Sequence, residues 1–148
     1  YKGEISSSSA VRINGMYKII GELESIGDSG DAIGRILVRR NEHGLSFDEQ
    51  QLKRLGRMCD LLDDAFKAMT NNLKAPYTSL KDITNAQDAE YNINECRNTL
   101  REEHIINIEE NSSYNYQVGV FYMDIVAELE KMGDFMINVS EAKIAENG

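Results

Sequence analysis

The stretch Glu22-Leu23-Glu24-Ser25-Ile26-Gly27-Asp28 returns 106 residues later as Glu128-Leu129-Glu130-Lys131-Met132-Gly133-Asp134, the shared pattern being E-L-E-x-x-G-D. Apolar residues around each copy recur every three or four positions. They superimpose under the same shift, from Met16 on Tyr122 through Ile33 on Val139. That period marks an α-helix with an apolar stripe. An ordinary amphipathic helix repeats hydrophobic phase, but not the identity of two glutamates, a glycine and an aspartate. The two helices therefore read as copies of one unit.

Working outward, the first helix is expected from about Ser8 to Arg40, with Met16, Ile19, Leu23, Ile26, Gly30, Ile33 and Leu37 on its stripe. The turn-forming run Asn41 to Gly44 ends it. Ser46 and Glu49 have the spacing of a capping box, which opens a second helix with Leu52, Leu55, Cys59, Leu62, Phe66, Met69 and Leu73 facing inward. Pro76 stops that helix, because it supplies no amide and pushes residue 75 out of the α region. A third helix is expected from near Ser79 to near Asn111, with Ala86, Ala89, Ile93, Cys96 and Leu100 inward. A fourth runs from near Ser113 to about Ala145 through Tyr122, Ile125, Leu129, Met132, Met136 and Val139. The serine run Ser6 to Ser9 reads as a frayed start. Helices of about 30 residues would be roughly 45 Å long. Short connectors between them call for each helix to pack antiparallel to its sequence neighbour, giving an all-α, up-down bundle.

Composition agrees with this reading. The chain has 148 residues, 41% of them hydrophobic, a single Pro and no Trp. That is enough apolar material for one domain, spanning residues 1–148, and the few alternating runs disfavour sandwiches and barrels. The net charge is −9. Residues 1–75 are balanced, with 11 basic and 11 acidic side chains, whereas residues 76–148 carry 5 and 14. A phosphate backbone or an anionic membrane surface needs clustered Lys and Arg, so nucleic acid is not an expected partner, while cations or basic protein surfaces are. Cys59 and Cys96 have no CxxC spacing and read as buried core thiols of a reducing compartment. No apolar run is long enough to insert into a bilayer. The chain begins at Tyr1 rather than Met and is read as a piece cut from a longer protein.

The duplicated motif carries the chemistry. Glu24 and Asp28 are four residues apart and so share a helix face, as do Glu130 and Asp134, and like charges at that spacing repel. A hard cation, divalent or ferric, is the economical way to offset them. Asp60 and Asp64 form a third pair in the same phase on the second helix. For any one such pair a solvated acidic face is the alternative. Gly27 and Gly133, each costing about 1 kcal/mol in a helix interior relative to Ala, leave room for a close approach by another backbone or an ion. His43 and His104 form no E-x-x-H pair, so a ferritin-like oxygen-activating site is disfavoured. The three glycines between Gly27 and Gly34 follow no strand, so they are not a phosphate loop. No nucleophile and base can be assembled from spacing, so catalytic residues, an organic cofactor and enzymatic turnover are not expected.

The segments Leu23-Glu24-Ser25-Ile26-Gly27-Asp28 and Leu129-Glu130-Lys131-Met132-Gly133-Asp134 resemble the L-E-R-I-G-D signature of PhoU-like proteins. Ile93-Asn94, Arg97, Leu100-Arg101, His104-Ile105 and Tyr122-Met123-Asp124 extend the resemblance over most of residues 16–142. They make the chain look most like the cytoplasmic C-terminal PhoU-like region of bacterial sodium-phosphate cotransporters. The sequence departs from the signature at Ser25 and Lys131, where the family has Arg, and at Ser29 and Phe135, where His is often found. The resemblance implies a helical repeat architecture, in which this chain supplies the last helix of one three-helix repeat and all three of the next. It also implies phosphate-linked regulation through a transporter membrane domain or a signalling protein, metal binding in some members, and a place at the cytoplasmic face of the bacterial inner membrane. A free-standing PhoU-type phosphate-signalling adaptor is the alternative in the same family, and a carboxylate-bridged metalloprotein the alternative outside it. The first helix would lack two of its neighbours, so self-association into a homo-oligomer is expected.

Overall fold

The structure, a computed structural model, describes residues 6–76 and 78–146. The order of elements is α1 (Ser7–Glu42), α2 (Glu49–Lys74), α3 (Thr84–Glu110) and α4 (Tyr116–Ala145), with no strand among the described residues. The fold is an all-α bundle of four long helices. None of them is long and apolar enough to cross a membrane.

Local chemistry sets the helix ends, in places not as expected. The serine run is a cap: the Ser6 hydroxyl oxygen accepts the Ser9 amide at 3.2 Å and α1 begins at Ser7. At its other end Gly44 takes φ 66°, and the amides of Gly44 and Leu45 return to the carbonyls of Asn41 and Arg40. This left-handed closure suits glycine because no Cβ is present to clash. The box on α2 is built by Asp48 and Gln51, not by Ser46 and Glu49. Asp48 Oδ1 accepts the Gln51 amide at 2.7 Å, and Gln51 Oε1 accepts the Asp48 amide at 2.9 Å. α3 starts at Thr84, five residues later than Ser79, which instead donates its hydroxyl to the Pro76 carbonyl in a turn. The connector is held down by Leu80 and Ile83, which are buried with Ala68, Ala86 and Ile137.

α2, α3 and α4 form a three-helix unit, and α1 lies along the outside of α4. Among the described residues no Cα of α1 comes within 8 Å of α2 or α3, despite the short link from α1 to α2. α2 packs on α3 and α3 on α4, as expected of sequence neighbours, but for α1 and α2 that expectation is corrected: linker length limits where α2 can start, while burial decides which face it seeks. Along α1 and α4 the contacting pairs run in opposite senses, from Asn138 Nδ2 donating to Glu22 Oε2 at 3.2 Å to the His43 and Phe121 rings 5.8 Å apart. Inside the three-helix unit a polar knot joins all members: buried Asn72 donates through Nδ2 to Oδ1 of the exposed Asn85 at 3.1 Å and to Oγ of the buried Ser140 at 2.9 Å, and Asn85 Nδ2 returns a bond to Asn72 Oδ1 at 3.2 Å. A buried amide left unpaired would cost roughly 1–3 kcal/mol, so the bonds of Asn72 help to fix the helix register.

The inward stripe of α3 is as expected, with Ala86, Ala89, Ile93, Cys96 and Leu100 all buried. That of α2 is rotated. Gln51, Met58, Leu62, Ala65, Met69 and Asn72 point inward, whereas Leu52, Phe66 and Cys59 are exposed. Two of the inward positions are polar and invisible to a hydrophobic pattern, and the expected burial of Cys59 fails for that reason. A thiol reagent applied to the native protein should therefore modify Cys59 rapidly and Cys96 only on the timescale of unfolding. Mass spectrometry of partly labelled protein distinguishes the two.

Candidate functional site

The two copies of the motif come side by side. Residues 22–28 of α1 lie against residues 128–138 of α4, tied by the Asn138 to Glu22 hydrogen bond. Beside it Ser25, Asp28, Ser29 and Ala32 of α1 face Glu128, Lys131 and Phe135 of α4 across an open groove. Lys131 Nζ pairs with Glu128 at 3.3 Å, so one cation already stands in the groove that Asp28 borders. Glu24 and Asp28 themselves are exposed.

The second copy is embedded where the first is bare. Glu130 forms an ion pair with Arg97 of α3, and both side chains are largely covered. Asp134 is half-buried, and its carboxyl is pushed above the ordinary Asp range, first by loss of water and then by the neighbouring carboxylates of Glu130 and Glu90, with Arg97 pulling the other way. Three carboxylates and one guanidinium thus meet where α3 crosses α4. Glu90 and Arg97 were not among the site residues read from the sequence. The signal was present in their seven-residue spacing, two turns apart on one face of α3.

The glycines of the two copies differ in the same way. A Cβ on Gly133 would stand 3.0 Å from Ile93 Cδ1 and 3.7 Å from Leu62 Cδ1, so this glycine lets α2 and α3 close onto α4. A Cβ on Gly27 would meet nothing within 4 Å. The close approach expected at both glycines occurs at one, and the approaching group is a side chain.

Asp60 and Asp64, the third pair, are exposed on α2. Neighbouring Asp63 pairs with Lys67 at 3.0 Å in full solvent, an arrangement worth little to stability. The structure does not gather the three pairs into one centre. Among the described residues no three His, Cys, Asp or Glu side chains are grouped so as to surround one ion. Cation binding at either motif would thus use two carboxylates and water, or ligands from another molecule.

At the end of the bundle where α2 and α4 begin, a second polar cluster is built from residues that sequence spacing does not single out. Arg54 and Glu103 pair at 2.5 Å. His104 Nδ1 and the Tyr114 hydroxyl are 3.0 Å apart, and burial together with Arg54 lowers the His104 pKa. Tyr122 is almost wholly buried beside them, its hydroxyl pKa raised to about 12 chiefly by loss of water. Gly119 makes this possible, since a Cβ there would collide with the Tyr114 hydroxyl and stand 2.8 Å from His104 Cε1. The cluster reads as a structural clasp between α3 and α4.

Both clusters generate outcomes. Asp134 is harder to ionise in the folded chain than in the unfolded one, so its ionisation opposes folding once the pH rises through its raised pKa. Asp134→Asn should therefore raise the melting temperature at neutral pH, and the gain should vanish below the ordinary Asp range, where the carboxyl is protonated in both states. Gly119→Ala should cost about 1–3 kcal/mol by overpacking, read by urea denaturation.

Compared with protein-family models, curated proteins and solved structures, this chain matches none.

Proposed function

We propose that the chain is a PhoU-like helical domain that regulates phosphate transport. It acts as an interaction module of the kind attached to bacterial sodium-phosphate cotransporters, at the cytoplasmic face of the inner membrane, without catalysing a reaction. The observation that carries this reading is the duplicated E-L-E-x-x-G-D unit, whose two copies lie against each other across the α1 and α4 contact. A tandem acidic motif in that position suits a cation-sensitive contact with a transporter membrane domain or a signalling protein. The exposed pair, Glu24 with Asp28, is the half open to an incoming ion or basic partner. The half-buried pair, Glu130 with Asp134, already has Arg97 for part of its charge, and so takes an added cation less readily.

In the native cell, the double variant Glu24→Gln with Asp28→Asn should leave the protein folded and make phosphate uptake unresponsive to phosphate supply. Uptake that responds as in the wild type would overturn the proposal. In the purified chain, divalent or ferric ions should raise the melting temperature by mass action, and the same double variant should lose most of that rise.

A further inference from the structure

His104 lies two turns before the end of α3, where the connector 111–115 turns back toward α4, and its surroundings suit a neutral ring. Its Nδ1 is 3.0 Å from the Tyr114 hydroxyl, and its ring centroid lies 5.6 Å from that of Tyr114 and 6.0 Å from that of Tyr122. At Gly119 the backbone of α4 closes directly onto the pair, since an added Cβ would stand 2.8 Å from His104 Cε1. Neither side chain can therefore shift toward α4. The amide of Tyr114 and the amide and hydroxyl of Ser113 all bond back to Asn111, inside the connector. The Tyr114 side chain instead reaches out of it, to His104 on α3 and Gln51 on α2.

The charged groups around this corner leave an added proton without a counterion. From α2 comes Arg54, which repels it. Glu103, beside His104 on α3, is held by Arg54 Nε at 2.5 Å. Asp48 of α2 acts on Tyr114, and its carboxylate caps α2 by accepting the Gln51 amide at 2.7 Å. Tyr114 from the connector and Tyr122 from α4 bring hydroxyls whose pKa burial raises, so both stay neutral wherever histidine titrates. Among the described residues no Cα of α1 comes within 8 Å of α3. Burial first, and Arg54 second, hold the His104 pKa below the ordinary His value.

We propose that His104 is a proton-operated latch: when its ring takes up a proton it releases Tyr114, and the connector between α3 and α4 comes away from the bundle. A neutral imidazole offers a lone pair to the hydroxyl. An imidazolium has none, so the hydroxyl could stay only as an acceptor, with a second positive charge held beside Arg54 and out of water. Opening the corner gives that charge its hydration. Because the closed form binds the proton less readily than the open one, closure is fully favoured above the ordinary His range and weakens as the pH falls through it. The weakening ends once the closed form is protonated too. Asp134 acts in the opposite sense, since its protonation favours the folded chain.

Hydrogen exchange of the purified chain, corrected for the intrinsic rate at each pH, reads the latch at the amides of Tyr114, Val118 and Gly119. Between neutral pH and about pH 5 their protection should fall by up to about tenfold per pH unit, the limit for one proton, while that of Met69, Ile93 and Val139 holds. His104→Gln keeps a partner for the hydroxyl but cannot take up a proton, and should give a level profile. Tyr114→Phe should show at neutral pH the low protection that wild type reaches in acid. Arg54→Gln removes the repelling charge and frees Glu103, so it should flatten the profile in part. A wild-type connector whose protection ignores pH overturns the proposal. So does a pH dependence that survives His104→Gln, or one that is lost in His43→Gln, at the exposed histidine that ends α1. Nuclear magnetic resonance of the wild type supplies a readout that needs no variant: connector amide shifts should follow the His104 ring titration, and shifts that follow another group overturn the latch.

Discussion

Burial around α4 is the constraint on which the rest of the molecule depends. Its buried residues, among them Phe121, Tyr122, Val126, Leu129, Met136, Val139 and Ser140, cover a broad face of the helix and leave a stripe through Asp124, Ala127, Lys131 and Glu141 exposed. A buried face that broad needs more than one neighbour. α2 and α3 take one side and α1 the other, so α1, which touches neither α2 nor α3, is joined to them through the helix they share. The link from α1 to α2 is short, yet α1 leaves α2 for α4, because removing apolar surface from water contributes about 25 cal/mol per Å² wherever it is available, and a turn dictates only where the next helix starts.

Duplication gave the chain two similar helices, and the fold has set them different tasks. The α4 copy is internal, with Gly133 in contact with Ile93 and Leu62 and Glu130 neutralised by Arg97. The α1 copy is peripheral. Its glycine opens to solvent, its carboxylates have water instead of a guanidinium, and its Leu23 is exposed where Leu129 is buried. Identical residues therefore carry different energies in the two copies. A carboxylate pair that repels itself is tolerated in α4 because α3 brings a positive charge to it, and in α1 because water screens it.

The acidic clusters and the polar knot show how charge and hydrogen bonding are rationed within a modest core. Buried Asn72 and Ser140 and exposed Asn85 bond one another where three helices meet, which adds specificity. Asp134 is a carboxyl half out of water beside two others, and its raised pKa records that tension. Strained titratable groups of this sort are where a helical bundle can respond to an ion or a partner.

Helix number, approximate limits and the duplication were legible in the sequence, because apolar period, Pro76, Gly44 and the E-L-E-x-x-G-D repeat are all local signals. The inward stripe of α3 was legible for the same reason. The rotated stripe of α2 was not: Gln51 and Asn72 are polar yet buried, and Asn72 meets its partners Asn85 and Ser140 only once the chain is folded. The cap moved from Ser46 to Asp48 because either could begin the helix, and packing of Phe47 into the core selected the register. For the candidate site, the sequence determined which carboxylates share a helix face, since that follows from 3.6 residues per turn. Only the tertiary structure decided which pair would be embedded with Glu90 and Arg97 and which would stand in water, because proximity between helices is set by the faces they bury.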